Sequence, residues 1–105
     1  EMPDNYIVRS NLDYLPEDIE RYRCACGYFS EYAISSLNEI VPLINVKYQT
    51  LAYYGISKES IEKFVLGNRI KGLDRVVTIG HTTDFSLTWD GYNLIDTFSR
   101  VVSII

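Results

Sequence analysis

The sequence is poor in the residues on which several protein classes depend. Its 105 residues include two cysteines and one histidine, too few for a disulfide framework or for the roughly four ligands of a structural metal site. No apolar run approaches the roughly 20 residues that cross a bilayer, and the polar N-terminus lacks the pattern of a signal peptide. We therefore expect no metal site, no membrane span and, by default, a cytoplasmic protein.

The chain also lacks a net positive charge and the glycine motifs that bind phosphate. The net charge is −4 and the lysines and arginines form no cluster, so the chain could not neutralise a row of phosphates, and we expect no nucleic-acid partner. Gly67, Gly72 and Gly80 match neither the P-loop nor the dinucleotide fingerprint. No nucleotide site can be built from this chain alone.

What is present is typical of a folded domain. Hydrophobic residues make up 47% and charged residues 23% of the sequence, which predicts a single domain over residues 1–105 with a modest core of its own. The chain begins Glu1-Met2-Pro3, from which we expect a piece of a longer protein. The apolar segment 101–105 is expected to dock on another chain or on a further domain.

Apolar and β-branched runs alternate with helical patterns along the chain. Strands are predicted at residues 5–10, 27–34, 46–54, 75–79 and 85–89. Helices are predicted at residues 15–21, from the capping box Ser36–Glu39 to a bend at Pro42, from Ser57 to 66–68, and from Asp90 through 94–105. Strands alternating with helices of about ten residues indicate an α/β fold with a mainly parallel sheet.

Two groups of residues are candidates for chemistry or binding. Cys24 and Cys26 lie near Arg21 and Arg23, which could lower a thiol pKa, but a pair of small residues at a strand start, one of them buried, is favoured. The loop 80–84, which contains His81, follows a strand at the edge of the sheet where ligands bind. A solvated loop has the same composition, so both interpretations stay open.

The aromatic residues can also be interpreted in two ways. Nine tyrosines, four phenylalanines and one tryptophan could form a binding surface. Core packing is favoured for those in the middle of the chain, namely Tyr22, Tyr28, Phe29, Tyr32, Tyr48, Tyr53 and Tyr54. Trp89 is predicted to anchor a strand end, and Asp90 to cap the last helix.

Three segments resemble one enzyme family. They are residues 48–55, residues 72–80 and the stretch that begins Trp89-Asp90-Gly91-Tyr92. Together they are similar to the C-terminal region of LuxC-type acyl-CoA reductases, relatives of the aldehyde dehydrogenase superfamily, and the similarity covers about residues 27–102. Thr78 departs from the proline expected in close relatives.

The resemblance implies a longer enzyme that reduces a fatty acyl-CoA to an aldehyde with NADPH, through a thioester on a cysteine. That cysteine and the nucleotide-binding domain would lie upstream, so no catalytic residue is assigned to this chain. Superfamily members carry Glu-x-Phe-Gly near the nicotinamide ribose. The matching stretch here ends in Cys26-Gly27, and Gly27 is the one implied cofactor contact.

The sequence therefore predicts a structural, non-catalytic part of an aldehyde-dehydrogenase-like domain. It would extend the sheet, supply one wall of the active-site cleft and join subunits in a homo-oligomer. Two alternatives remain. The chain could be a free-standing α/β interaction module, or a small thiol enzyme that uses Cys24 or Cys26.

Overall fold

The computed structural model describes residues 6–24 and 26–105. Asn5, in the first predicted strand, and Ala25, between the two cysteines, lie outside the described residues. The chain divides between Leu43 and Ile44 into two compact units, called unit 1 and unit 2 below. Each unit contains strands and helices, which confirms the predicted α/β mixture.

Unit 1 is built on a parallel pair of short strands. The strands are β1 (Val8–Asn11) and β2 (Tyr28–Glu31), paired in register from Val8 opposite Tyr28 to Asn11 opposite Glu31. Arg9 on β1 donates to both carboxylate oxygens of Glu31 on β2, at 2.6 and 2.8 Å. This two-pronged ion pair joins the strands on one face and lowers the pKa of Glu31.

Both helices predicted in unit 1 are 3₁₀ helices. They cover Ile19–Tyr22 and Leu37–Leu43. Pro42 lies inside the second helix, and the missing N–H and bulky ring of proline oppose a regular α-helix there. Glu39 accepts from the N–H groups of Ser35 and Ser36, at 2.8 and 2.9 Å, so the glutamate half of the predicted capping box is formed.

Unit 2 begins with a strand–helix–strand sequence. Its elements are β3 (Gln49–Tyr53), α1 (Lys58–Gly67) and β4 (Leu73–Thr78). Ser57 caps α1 by accepting from the N–H of Ser60 at 3.2 Å, as predicted. Ile61 and Phe64 are 3% and 5% exposed and lie on one face of the helix. The strands β3 and β4 pair in parallel.

The entry into β4 depends on Gly72. Its φ is +100°, and a Cβ there would collide with the backbone of Asn45 and Val46. The pairing then shifts by one residue, since Gln49 is opposite Leu73 and Thr50 is opposite Arg75. One extra residue therefore lies in β4 at this point, as in a β-bulge.

The remainder of unit 2 differs from the predicted long helix. A short antiparallel pair, β5 (Thr88–Trp89) and β6 (Tyr92–Asn93), precedes α2 (Leu94–Phe98). The helix ends at Phe98, so the helix predicted through residue 105 is wrong. Its N-cap is Asn93, whose side chain accepts from Ile95 N and Asp96 N. Asp90, the predicted cap, lies in the β5–β6 turn with φ +48°.

The prediction of one mainly parallel sheet is also wrong for the described residues. They form three two-stranded sheets, two parallel and one antiparallel. These residues do not make up an aldehyde-dehydrogenase-like domain. Each strand of β3–β4 keeps one edge that no other described strand covers.

Burial is correspondingly sparse. In residues 6–24 and 26–105, the buried side chains are those of Ile61 and Phe64, together with Pro16. The prediction of core packing is wrong for four of the seven aromatic residues named above, because Tyr22, Phe29, Tyr32 and Tyr54 are exposed. Tyr28, Tyr48 and Tyr53 are half-buried. No described helix is long and apolar enough to cross a membrane.

Candidate functional site

The candidate loop 80–84 is held in place by an arginine of the preceding strand. The guanidinium of Arg75 donates to the carbonyl oxygens of Thr82 and Asp84, each at 2.7 Å, with a longer approach of 3.5 Å to that of His81. Three carbonyls thus converge on one cation. These hydrogen bonds connect the loop after β4 to the strand, while residues 80–84 themselves are exposed.

One aromatic ring covers the same guanidinium. Its carbon lies 4.3 Å from the centroid of the Trp89 ring, within the range of a cation–π contact. Phe85 packs on Trp89 with ring centroids 5.3 Å apart. Trp89 is half-buried at the end of β5, which agrees with its predicted anchoring role.

His81 and Asp84 form a pair within the loop. Nδ1 of His81 lies 2.6 Å from Oδ2 of Asp84, and the two side chains are 61% and 63% exposed. A carboxylate on one ring nitrogen orients an imidazole and leaves the other nitrogen available. No group of three or more His, Cys, Asp or Glu side chains among the described residues could hold a metal ion. The pair therefore offers hydrogen bonding at an exposed position.

A cleft of about 390 Å³ runs between β4 and the loop. One wall consists of four consecutive β4 residues, from Asp74 to Val77, and the other of loop residues between His81 and Thr88. Side chains alternate between the faces of a strand. Four consecutive lining residues therefore mean that the backbone edge of β4 borders the cleft.

A second cleft lies between the sheet and α1. It measures about 310 Å³, and its lining includes Tyr53 and Val76 from the strands and Ile61 and Val65 from the helix. Lys58 and Glu62 also line it, and their charged atoms approach to 3.8 Å. This cleft is mainly apolar and contains no pair of groups arranged for catalysis.

Unit 2 brings the three family-like segments together. Segments 48–55 and 72–80 contribute the paired strands β3 and β4. Arg75 stacks on Trp89 of the third segment, and a Cβ on Gly91 would lie 3.0 Å from Oδ1 of Asp74. The β5–β6 turn therefore packs closely against the side chain of Asp74.

The remaining predicted residues belong to unit 1. Cys24 and Cys26 are both exposed and free, so the expectation that one of them is buried is wrong. Gly27 has φ +80° and a Cβ there would meet the Tyr6 carbonyl, while its own carbonyl accepts from Val8 N at 2.7 Å. These contacts explain on structural grounds why position 27 is a glycine. Its contact with the cofactor stays a prediction.

The structure adds two features that were not predicted. The predicted strand 75–79 includes Arg75 but assigns no role to its side chain. An arginine in the run Leu73-Asp74-Arg75-Val76-Val77 needs partners for its five N–H donors. In unit 1, the hydrogen bond between Tyr22 and Tyr14 raises the pKa of Tyr22. Both rings line a small cleft of about 190 Å³.

No protein-family model, curated protein or solved structure matches this chain.

Proposed function

We propose that this chain is the C-terminal part of a LuxC-type fatty acyl-CoA reductase and has a structural, non-catalytic role within it. The whole enzyme would reduce an acyl-CoA to an aldehyde with NADPH through a cysteine thioester formed upstream. The observation that carries the proposal is the convergence of the three family-like segments in unit 2. They are adjacent in space although residues 56–71 separate the first two segments and residues 81–88 separate the last two.

The unfinished sheets support the same proposal. A parallel strand pair is normally part of a larger sheet that is covered on both faces, but β1–β2 and β3–β4 have two strands each. The run Val76-Val77 on β4 suits such a covered strand and is only half-buried here. An upstream catalytic domain would supply the missing strands and cover.

In this proposal, the described residues do not form an NADPH site by themselves. Gly27 is the one implied contact, and its conformation is explained by the backbone of Tyr6 and Val8. In this proposal the cofactor and the reactive cysteine therefore belong to the upstream part. This chain would extend the sheet, supply a wall of the cleft and join subunits.

The test begins with the gene that encodes this segment. We expect a few hundred codons upstream, containing a Rossmann-like region and a lone reactive cysteine. The full product should oxidise NADPH, followed at 340 nm, when a long-chain acyl-CoA is added. The 105-residue chain should give no oxidation under the same conditions.

A control variant ties the activity to the upstream cysteine. Its replacement by alanine should abolish NADPH oxidation, whereas replacing both Cys24 and Cys26 by serine should leave the rate unchanged. A reading frame that starts at Met2, or a full product that consumes no NADPH with any acyl-CoA, would overturn the proposal.

The second candidate is a free-standing interaction module. The cleft along β4 and the exposed tyrosines Tyr6, Tyr14 and Tyr54 favour it, because tyrosine is enriched at protein interfaces. A reading frame that starts at Met2 would select this candidate over the reductase.

The thiol-enzyme alternative has a separate test. Because Cys24 and Cys26 are exposed, iodoacetamide should label both in the folded chain at a rate close to that of free cysteine. Labelling many times faster than free cysteine at neutral pH would show an activated thiol and support this alternative.

A further inference from the structure

Unit 1 contains a small cleft that the reductase proposal does not use. Its volume is about 190 Å³. Residues between the end of β1 and the end of the first 3₁₀ helix line it, namely Asn11, Leu12, Asp13, Tyr14, Pro16 and Tyr22. A cavity of about 150 Å³ holds a benzene molecule, whereas sites for drug-sized ligands measure about 300 Å³ or more. The cleft therefore suits a ligand of a few heavy atoms.

Regular elements hold both ends of the segment that lines the cleft. Asn11 is the last residue of β1, and the N–H of Leu12 donates to the carbonyl of Glu31 at 2.8 Å. This hydrogen bond continues the connection between the two strands beyond the end of β1. At the other end, Tyr22 is the last residue of the first 3₁₀ helix. The lining residues are therefore placed by the backbone of unit 1 itself.

Two tyrosine rings line the cleft and stay accessible to a ligand. Tyr14 is 66% and Tyr22 is 43% exposed, and a hydrogen bond joins their side chains. This bond limits the movement of one ring relative to the other. The faces of aromatic rings attract cations, and proteins use such rings to recognise quaternary ammonium ions. The rings therefore indicate the class of ligand.

The charge around the rings also favours a cation. Residues 11–22 contain four carboxylates and one cation, Arg21. Arg21 pairs with Asp18 at 3.2 Å, whereas no ion pair within residues 6–24 and 26–105 involves Asp13. The hydrogen bond with Tyr14 is the main cause of the raised pKa of Tyr22, and the carboxylate of Asp18 contributes to it. A field that disfavours a phenolate favours a bound cation.

We propose that this cleft binds a small quaternary ammonium ion, with the methyl groups against the rings of Tyr14 and Tyr22 and the charge near Asp13. A primary ammonium is strongly hydrated, whereas methyl groups surround the charge of a quaternary one and can lie on aromatic rings. The ligand is a free compound such as choline and not a choline lipid, because the lipid phosphate would lie among carboxylates. The proposal concerns unit 1 and is independent of acyl-CoA reduction.

Titration of the 105-residue chain with choline chloride tests the site, with the backbone amide signals followed by NMR. We expect saturable shifts in residues 11–22, with a dissociation constant on the order of 1–10 mM. The neutral isostere of choline, in which a tert-butyl group replaces trimethylammonium, should bind at least about tenfold more weakly. Phosphocholine, which adds a phosphate, should bind at least about fivefold more weakly than choline.

Replacements within the cleft identify the groups that bind. Tyr14→Leu and Tyr22→Leu each remove one ring and should weaken choline binding at least about fivefold. Asp13→Asn removes an exposed charge and should weaken it about twofold to fivefold. The controls lie in unit 2, where Tyr54→Leu changes a side chain that is 84% exposed and Asp96→Asn changes an exposed carboxylate of α2. Both controls should bind choline as the wild type does.

Far-UV circular dichroism checks that each variant is folded. Tyr14→Leu, at the more exposed of the two positions, serves if Tyr22→Leu fails to fold. The comparison of choline with its neutral isostere needs no variant at all, so a failure to fold cannot leave the proposal without a test.

Four results would overturn the proposal. They are a wild-type chain without saturable shifts, shifts that lie outside residues 11–22, an isostere that binds as tightly as choline, and an affinity that the tyrosine replacements leave unchanged. Tighter binding of phosphocholine than of choline would overturn the assignment to a free ligand and indicate a lipid head group.

Discussion

The side chain of Arg75 donates hydrogen bonds to backbone carbonyls and not to a carboxylate. It contacts the carbonyls of Thr82 and Asp84 and lies against the ring of Trp89. These contacts require the planar, forked guanidinium, which a lysine ammonium cannot reproduce. One half-buried side chain thereby orders the loop that contains His81.

We expect Arg75→Lys to lower the free energy of unfolding by about 1 to 2 kcal/mol, from the lost charged hydrogen bonds and the weaker contact with Trp89. Urea unfolding followed by circular dichroism measures the change, and Trp89 emission should shift at the same time. Arg69→Lys, at an exposed position outside the loop, is the control. Equal stability of the two variants would contradict the role given to Arg75.

Substitutions at Gly72 and Gly80 distinguish the energetic cost of backbone strain from that of a steric collision. Both have positive φ, +100° and +95°, but a Cβ meets Asn45 and Val46 at Gly72 and finds open space at Gly80. Gly80→Ala should cost about 1 to 2 kcal/mol from strain, and Gly72→Ala at least about 1 kcal/mol more from the collision. Thermal or urea unfolding of the two variants gives the difference, and a smaller loss at Gly72 would refute the close approach.

At the scale of elements, α1 shows what local sequence can predict. Its cap at Ser57, the stripe that contains Ile61 and Phe64, and its end near Gly67 all follow from residues within a few positions of each other. The last helix was predicted too long because an apolar pattern alone does not exclude an extended segment. The β-branched residues Val101 and Val102 lose side-chain freedom in a helix, which disfavours a continuation of α2 beyond Phe98.

The cap of α1 provides a prediction for this element. Ser57→Ala removes the acceptor of Ser60 N and should lower the free energy of unfolding by about 1 kcal/mol. Ser57→Asp keeps an acceptor at the same place and should retain stability within about 0.5 kcal/mol. Denaturant unfolding compares them, and an alanine variant as stable as the wild type would show that the cap contributes nothing.

The ion pair between β1 and β2 predicts a dependence on pH. The hydrogen bond from Arg9 lowers the pKa of Glu31, so the folded state binds this proton less readily than the unfolded state. The resulting stabilisation is complete above the unfolded glutamate pKa of about 4.3 and is lost as pH falls through the lower folded pKa.

The measurement compares the wild type with Glu31→Gln between pH 6 and pH 2. The variant should lose less stability than the wild type over the acid part of that range. Glu59→Gln, an exposed residue of α1, should behave as the wild type does. Parallel curves for all three proteins would exclude a contribution from the Arg9–Glu31 pair.

At the scale of the whole molecule, strand pairing is where the sequence was least informative. The alternation of elements predicted parallel pairs, and two of the three pairs are parallel. It could not show that the described strands stay in separate two-stranded sheets, because pairing joins residues far apart in the chain. The loop around His81 was predicted from its place after β4, whereas the partner Arg75 was recognisable only as a polar residue in an apolar run.

Sparse burial leads to a prediction for the whole chain. Val101→Ser combined with Ile104→Ser should change the free energy of unfolding of the monomer by less than about 0.5 kcal/mol, since both side chains are almost fully exposed. The same pair should reduce self-association in sedimentation velocity. Ile61→Ala, at a buried site, should instead cost about 2 to 5 kcal/mol. Comparable losses from the two changes would contradict the burial described here.

The parallel pairing of β3 and β4 also has a kinetic consequence. The paired positions are 24 or 25 residues apart in the sequence, so chain entropy must be lost before the first contact between the strands contributes. The capped helix between them needs only local contacts and relaxes within about a microsecond. Folding of unit 2 should therefore begin at α1, and changes at Ser57 should slow refolding more than they speed unfolding.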